Sequence, residues 1–219
     1  AHKFKGTHMS RFSEILNQHR DEMTLNTLPE LLEDLRVRLE AESAQVEVCF
    51  TYFLERSAPV TGVTGKMDYE CTFKGASEPG GKDFILGVTI PVASLCPCSK
   101  EISAYGAHNQ RGDVSIEVRW EGQGEENLVG IEDLVEIAER SASAPLYPVL
   151  KRPDEKYVTE QAYDNPKFVE DIVRDVSQEL KADSRVTWFK AHVKNFESIH
   201  NHNAFAQVEW TRPDDPQDS

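Results

Sequence analysis

Met67-Asp-Tyr-Glu-Cys-Thr-Phe-Lys-Gly-Ala-Ser-Glu-Pro-Gly-Gly-Lys-Asp-Phe-Ile-Leu-Gly-Val-Thr-Ile-Pro-Val92 holds the pattern that decides the fold. Met67, Tyr69, Cys71 and Phe73 fall on every second position, and Leu86, Val88, Ile90 and Val92 repeat that spacing. A period of two is that of a strand with one face buried. Between the two runs, Glu78-Pro-Gly-Gly81 has the composition of a turn. Two alternating runs joined by a turn predict an antiparallel pair.

The same reading extends outward in both directions. Val46, Val48, Phe50, Tyr52 and Leu54 predict a strand upstream, and Val114, Ile116, Val118 and Trp120 one downstream. Val186 to Phe196 and Ala204 to Trp210 predict a last pair, joined by Ser198-Ile-His-Asn-His202. Helices separate these groups. One is expected from Ser10 to about Arg20. A second begins at Thr27-Leu-Pro-Glu30, read as a capping box, and carries Leu28, Leu31, Leu32, Leu35 and Leu39 at helical spacing. Ile131 to Arg140 predicts a third, ended before Pro145. Asn165-Pro166 is read as opening a fourth, with Val169, Ile172, Val173, Val176 and Leu180 on its buried face. Helices, strands, helices, strands in that order predict an α+β fold of antiparallel sheets with helices packed on one face. The order also suggests two tandem units, about 1–95 and 96–212, followed by an Asp/Pro-rich tail over 213–219 read as disordered. The start on Ala1, with His2-Lys-Phe-Lys5 reading like a strand end, suggests that an N-terminal segment is missing.

Composition bounds the function. The 219 residues are 39% hydrophobic and 28% charged, a globular mixture. No apolar run approaches the roughly 18 residues of a membrane span, and no secretory signal is visible. A formal charge of -14 argues against nucleic acid as a partner. Cations nevertheless cluster, with Lys3, Lys5, His8 and Arg11 in one group and Lys151, Arg152 and Lys156 in another; a solvated surface is the plainer reading of each. Cys49 and Cys71 sit in strand patterns, where a free thiol is a small buried hydrophobe. The four cysteines are read as reduced, in a cytoplasmic protein.

Cys96-Pro-Cys98 differs, because it lies at a strand end before a short helical stretch, Ser99 to Ser103. A helix N-terminus there is expected to lower a thiol pKa, which suits a nucleophile or a metal ligand; two structural thiols is the competing reading. His108 follows ten residues after Cys98, and His200 and His202 occupy a turn in which only one is expected to face a shared site. Thiolate, imidazole and carboxylate with one open position would make a catalytic metal site. Glu155 stands in a basic loop, Lys151-Arg-Pro-Asp-Glu-Lys156. Glu170 lies early in a helix, on the flank of its buried stripe, where a half-buried carboxylate can accept from a guanidine-like edge. Asp171 is read as a helix N-terminal acid.

Ser94-Leu-Cys-Pro-Cys-Ser-Lys-Glu-Ile-Ser103, with Gly106-Ala-His-Asn-Gln-Arg-Gly112, resembles the signature of the GTP cyclohydrolase IB family. Lys5-Gly-Thr-His-Met-Ser-Arg11, Asp154-Glu-Lys-Tyr-Val-Thr159, Asn165-Pro-Lys-Phe-Val-Glu-Asp171 and Glu197-Ser-Ile-His-Asn-His202 resemble its other motifs, so the likeness runs from Lys5 to Trp210. The resemblance implies a tunnelling fold and a homo-oligomer, a tetramer, with active sites where subunits meet. It implies hydrolysis of GTP to 7,8-dihydroneopterin triphosphate and formate, the first step of tetrahydrofolate and pterin synthesis. By the same resemblance Cys96, Glu155 and His200 bind a divalent metal (Zn, Mn or Fe), with His202 the alternative to His200. His108 sits beside the metal for proton transfer or as an alternative ligand. Glu170 anchors guanine, and Lys5, His8, Arg11 and Arg111 hold the triphosphate. A related nitrile reductase shares the Ser-Leu-Cys-Pro-type loop but uses its cysteine as a covalent nucleophile; Cys98, the segment 106–108 and the histidine turn favour the cyclohydrolase. A non-catalytic purine- or metal-binding oligomer is the rival from another class.

Overall fold

The alternating runs form strands in the computed structural model, which describes residues 10, 13–15, 17, 27–79, 81–121 and 127–213. In chain order the elements are α1 (Leu28–Arg38), β1 (Ala44–Ser57), β2 (Thr64–Glu78), β3 (Gly81–Leu95), α2 (Pro97–Ile102) and β4 (Asn109–Trp120). Then come α3 (Ile131–Ser141), β5 (Ala144–Pro145), α4 (Arg152–Asp164), α5 (Val169–Ala182), β6 (Val186–Asn195) and β7 (Ala204–Thr211). The strands hydrogen-bond in the order β1-β2-β3-β4-β6-β7, with β5 added antiparallel to β3. Lys5, His8 and Arg11 lie outside the described residues, as do 214–219 of the tail; of the expected first helix, 10, 13–15 and 17 are described, and they are helical. No helix among the described residues is long and apolar enough to cross a membrane.

Two compact units are distinguished, 1–49 with 72–86, and 50–71 with 87–219. In the first, α1 buries Leu31, Leu32 and Leu35, three of the five leucines its spacing marks, while Leu39 caps its end and is only partly buried. Its start differs from the capping-box expectation. Thr27 adopts helical dihedrals (φ -97°, ψ -16°) and gives no side-chain cap. A cap needs an extended backbone to turn its hydroxyl onto the first turn. Its carbonyl instead accepts from the Glu30 and Leu31 amides.

In the second unit α5 packs on β6 and β7, and α3 on α5. Val169, Ile172, Val173, Val176 and Leu180 of α5 are all buried, as are Val186, Phe189, Ala191 and Val193 of β6 and Val114, Ile116 and Val118 of β4. Each such side chain contributes about 1.5–3 kcal/mol of hydrophobic stabilisation. The opposite strand faces carry Asp113, Glu117 and Arg119 of β4 and Lys190, His192 and Lys194 of β6, all only partly buried. Polar links fasten α3 to β1: Tyr52 donates to Glu132 (2.6 Å), and Arg56 pairs with the buried Glu139. α5 begins three residues later than Asn165-Pro166 suggested. Asn165 instead ends α4, its side-chain amide donating to the Ala142 carbonyl (2.8 Å). α4, expected as a loop, escapes a periodicity search because only Asp154 and Ala162 on it are buried.

The β4/β6 register places Gly112 opposite Asn195. A Cβ at Gly112 would collide with Asn195 Oδ1 and stand 3.2 Å from the Lys194 carbonyl, so a side chain there forces Asn195 to shift. Gly112→Ala is therefore expected to destabilise the protein by about 1–3 kcal/mol, the range for overpacking a closed site. Chemical denaturation of the two proteins checks this, and equal midpoints would refute it.

Candidate active site

Ser94, fully buried at the end of β3, organises the region around the cysteine loop. Asn195 Nδ2 donates to Ser94 Oγ (3.0 Å), and Ser94 Oγ donates to the Lys167 carbonyl (3.1 Å). The Lys167 amide in turn donates to the Leu95 carbonyl (3.1 Å), and the Leu95 amide to Ser143 Oγ (3.0 Å). The end of β3, the end of β6 and the segment leading into α5 are thereby joined, and a site residue follows each of them within a few positions.

Cys96 is the N-cap of α2, with an extended backbone (φ -69°, ψ 117°) and its sulfur accepting from the Ser99 amide (3.4 Å). The helix starts at Pro97, where a missing N–H costs nothing. Ser99 Oγ donates to the Cys96 carbonyl (3.1 Å) and accepts from the His108 amide (3.2 Å), while the Cys96 amide donates to the His108 carbonyl (3.1 Å). The chain returns from α2 to His108 through Gly106, whose φ of +117° is a conformation side chains disfavour. Cys96 and His108 are thus held side by side through their backbones.

These residues open on a cleft of about 320 Å³ lined by Cys96, Cys98, His108, Gln110, Lys167, Phe168, Glu170, Asn195, Glu197, His200 and His202, among others. Cys96 is partly buried and Cys98 exposed. Both turn histidines face the cleft, where a single one was expected. Their rings stack at 5.1 Å, and the His108 ring stands edge-on to His200 at 6.4 Å. Glu170 reaches the cleft from the first turn of α5, but is exposed, not half-buried. Its neighbour Asp171, read from sequence as a helix N-terminal acid, lies in the first turn of α5 and accepts from the Phe168 amide (3.1 Å).

Two expected site residues lie elsewhere. Arg111 follows Gln110 on β4 and so faces the other way, lining a second cleft of about 390 Å³ with Lys66, Asp68 and Tyr147. Glu155 is exposed on α4 and does not line the Cys96 cleft. Its place follows from Asp154, which is buried and accepts from the Val60 and Thr61 amides, the Thr61 hydroxyl and the Lys151 amide (2.9, 2.9, 2.6 and 2.9 Å). With Asp154 turned inward, the next helical residue points about 100° away, to the outside. Thiolate and imidazole donors at the cleft suit zinc-like ions. Among the described residues, however, no three His, Cys, Asp or Glu side chains are placed to hold one. Gln110, Lys167, Asn195, Glu197 and Ser198 were not singled out from sequence; of these Gln110 alone carried a signal, two positions from His108 at a strand start.

Comparison with known proteins accords with this arrangement. Residues 1–206 match the family described as type I GTP cyclohydrolase folE2. The chain belongs to that family. It is 52% identical over 208 residues to the GTP cyclohydrolase FolE2 of Syntrophus aciditrophicus, covering 95% of this chain and 80% of the relative. It is 53% identical over 209 residues to that of Syntrophotalea carbinolica, covering 95% and 76%. Among solved structures it is similar to the urate oxidase of Bacillus sp. TB-90 (TM-score 0.58, 9% identity, covering 97% of this chain and 81% of that one). It is also similar to the uricase of Arthrobacter globiformis (TM-score 0.54, 11% identity, covering 98% and 79%). These likenesses show the tunnelling fold that the family resemblance implies.

Burial alone would raise the Asp154 pKa, but its hydrogen bonds from Thr61, Lys151 and Val60 outweigh that and hold it well below the usual carboxylate range. A depressed folded-state pKa adds stability that is present above the unfolded value of about 3.9 and is lost as pH falls through the folded one. Asp154→Asn is expected to lower the melting temperature most at neutral pH, with the gap closing below about pH 4. A gap that stayed constant from neutral to acid pH would contradict this.

Proposed function

We propose that the chain hydrolyses GTP to 7,8-dihydroneopterin triphosphate and formate in the cytoplasm, as a divalent-metal enzyme and a homotetramer. The observation that carries this reading is the meeting of Cys96, His108, Glu170 and His200 around one cleft in a chain of the cyclohydrolase family. Glu170 accepts from two parallel N–H groups of the guanine edge, which orients the purine in the cleft. His108 takes and returns protons at the ring nitrogens as guanine opens and formate leaves. Cys96 and His200 would hold the metal with Glu155 as third ligand, and zinc, manganese and iron all accept these donor types. Such an ion, when bound, supplies hydroxide at neutral pH. Lys5, His8, Arg11 and Arg111 are the proposed triphosphate contacts, Arg111 from the other face of β4.

The position of Glu155, pinned by Asp154 away from the cleft, supports a site completed between subunits. So do the exposed apolar side chains at and beside the cleft, Phe168 (39%), Phe196 (39%), Ile199 (64%) and Phe205 (70%). Among the described residues β1 and β7 are the outer strands of the order, a further surface that association would cover.

Metal-stripped protein incubated with GTP is expected to release formate and a fluorescent oxidised pterin only after Zn²⁺ or Mn²⁺ is restored; absence of product with every metal overturns the reading. Cys96→Ala should abolish turnover and weaken metal binding, and His108→Ala should lower kcat by about 10²–10⁴-fold. An active Cys96→Ala beside an inactive Cys98→Ala would move the ligand to Cys98. If the site is shared, co-expressed Cys96→Ala and Glu155→Ala chains, each inactive alone, recover part of the activity in mixed oligomers. No recovery in mixed oligomers would place both ligands on one chain.

A further inference from the structure

His108 has one ring nitrogen already engaged, and the chemistry of its partners bears on which nitrogen is left for the reaction. Nδ1 lies 3.0 Å from Gln110 Oε1 and 3.3 Å from Ser198 Oγ. Gln110 stands beside His108 because side chains two positions apart at a strand start share a face. Ser198 comes from the β6–β7 connection, the segment that carries His200 and His202. One nitrogen therefore ties the cysteine-loop side of the cleft to its histidine-turn side.

The two partners are not equivalent. An amide oxygen can only accept a hydrogen bond, whereas a hydroxyl donates or accepts by turning its hydrogen. Gln110 Oε1 can accept from Nδ1 only when Nδ1 carries the ring proton, since two lone pairs at 3.0 Å would repel. Ser198 then follows as a second acceptor. A neutral imidazole protonated at Nδ1 presents an unprotonated Nε2, the form that can take a proton or donate a lone pair. We infer that Gln110 is a positioning residue that fixes His108 in the Nδ1–H tautomer and so makes Nε2 the working nitrogen of the cleft. This rests on the reading of His108 as the proton-transfer group, and it assigns Gln110 no contact with substrate.

Long-range ¹⁵N–¹H spectra of histidine-labelled protein with Zn²⁺ added, at a fixed pH of full activity, read the tautomer directly, His108 being assigned from the His108→Gln spectrum. The wild-type spectrum is expected to show a protonated Nδ1 and an unprotonated Nε2. Gln110→Met, of similar shape but without the acceptor, should populate the opposite tautomer and lower kcat by about 10–100-fold, the range for partners that orient functional histidines. KM should stay within about twofold, because no ground-state contact is removed. Gln110→Glu, which can only accept, should restore both the tautomer and most of kcat, and Ser198→Ala should leave the tautomer as it is.

An Nε2–H tautomer in the wild type overturns the inference. So does a Gln110→Met protein that keeps the Nδ1–H form, or one that loses affinity for GTP with kcat intact, which would make Gln110 a substrate contact. If instead the tautomers behave as expected while His108→Gln retains full activity, the proton-transfer role of His108 fails and the positioning by Gln110 stands.

Discussion

The hydrogen bond from Asn195 to Ser94 is the constraint on which the rest of the cleft depends. Three separate stretches end at this buried contact: β3 before Cys96, β6 before the histidine turn, and the leader of α5 before Glu170. The Ser94 and Asn195 side chains are buried, and leaving a buried donor or acceptor unmatched costs about 1–3 kcal/mol. The chain ends therefore meet at one place, and the thiol, the carboxylate and the imidazoles that follow them share a cleft. Proximity of these groups is a property of the scaffold, set before any ligand arrives.

Much of this fold could be read from alternation alone. Val114, Ile116 and Val118 and the stripe from Val169 to Leu180 are buried as their spacing required, because a period of two or of 3.6 is itself the record of which face meets the core. α4 left no such record. It is held by the hydrogen bonds of one carboxylate, Asp154, and not by an apolar stripe, so its sequence resembles a loop. The late start of α5 has the same origin: Asn165 is committed to the Ala142 carbonyl, and Pro166 lies in a connection.

The site was legible to a different depth. Cys96, His108, Glu170 and His200 were named from motif resemblance, and their convergence is a tertiary fact that no spacing along the chain could supply. Alternation did hold the fact that separates Gln110 from Arg111, since neighbours on a strand face opposite ways. The fold likeness to urate oxidases at 9–11% identity carries the same lesson in reverse. Faces and periods survive nearly complete replacement of the residues, whereas the chemistry of a cleft resides in a few side chains on its connections.

Gly112 has no group that could touch a substrate, yet it belongs to the cleft. Its bare Cα makes room for Asn195, and Asn195 holds Ser94. Positions 112 and 195 therefore form one packing unit. A larger residue at 112 displaces the Asn195 side chain, and that displacement loosens the anchor of the cysteine loop. Sequence drift on the sheet, well away from any reacting atom, reaches Cys96 through this pair, so a variant there can look like an active-site defect while every residue of the cleft is intact.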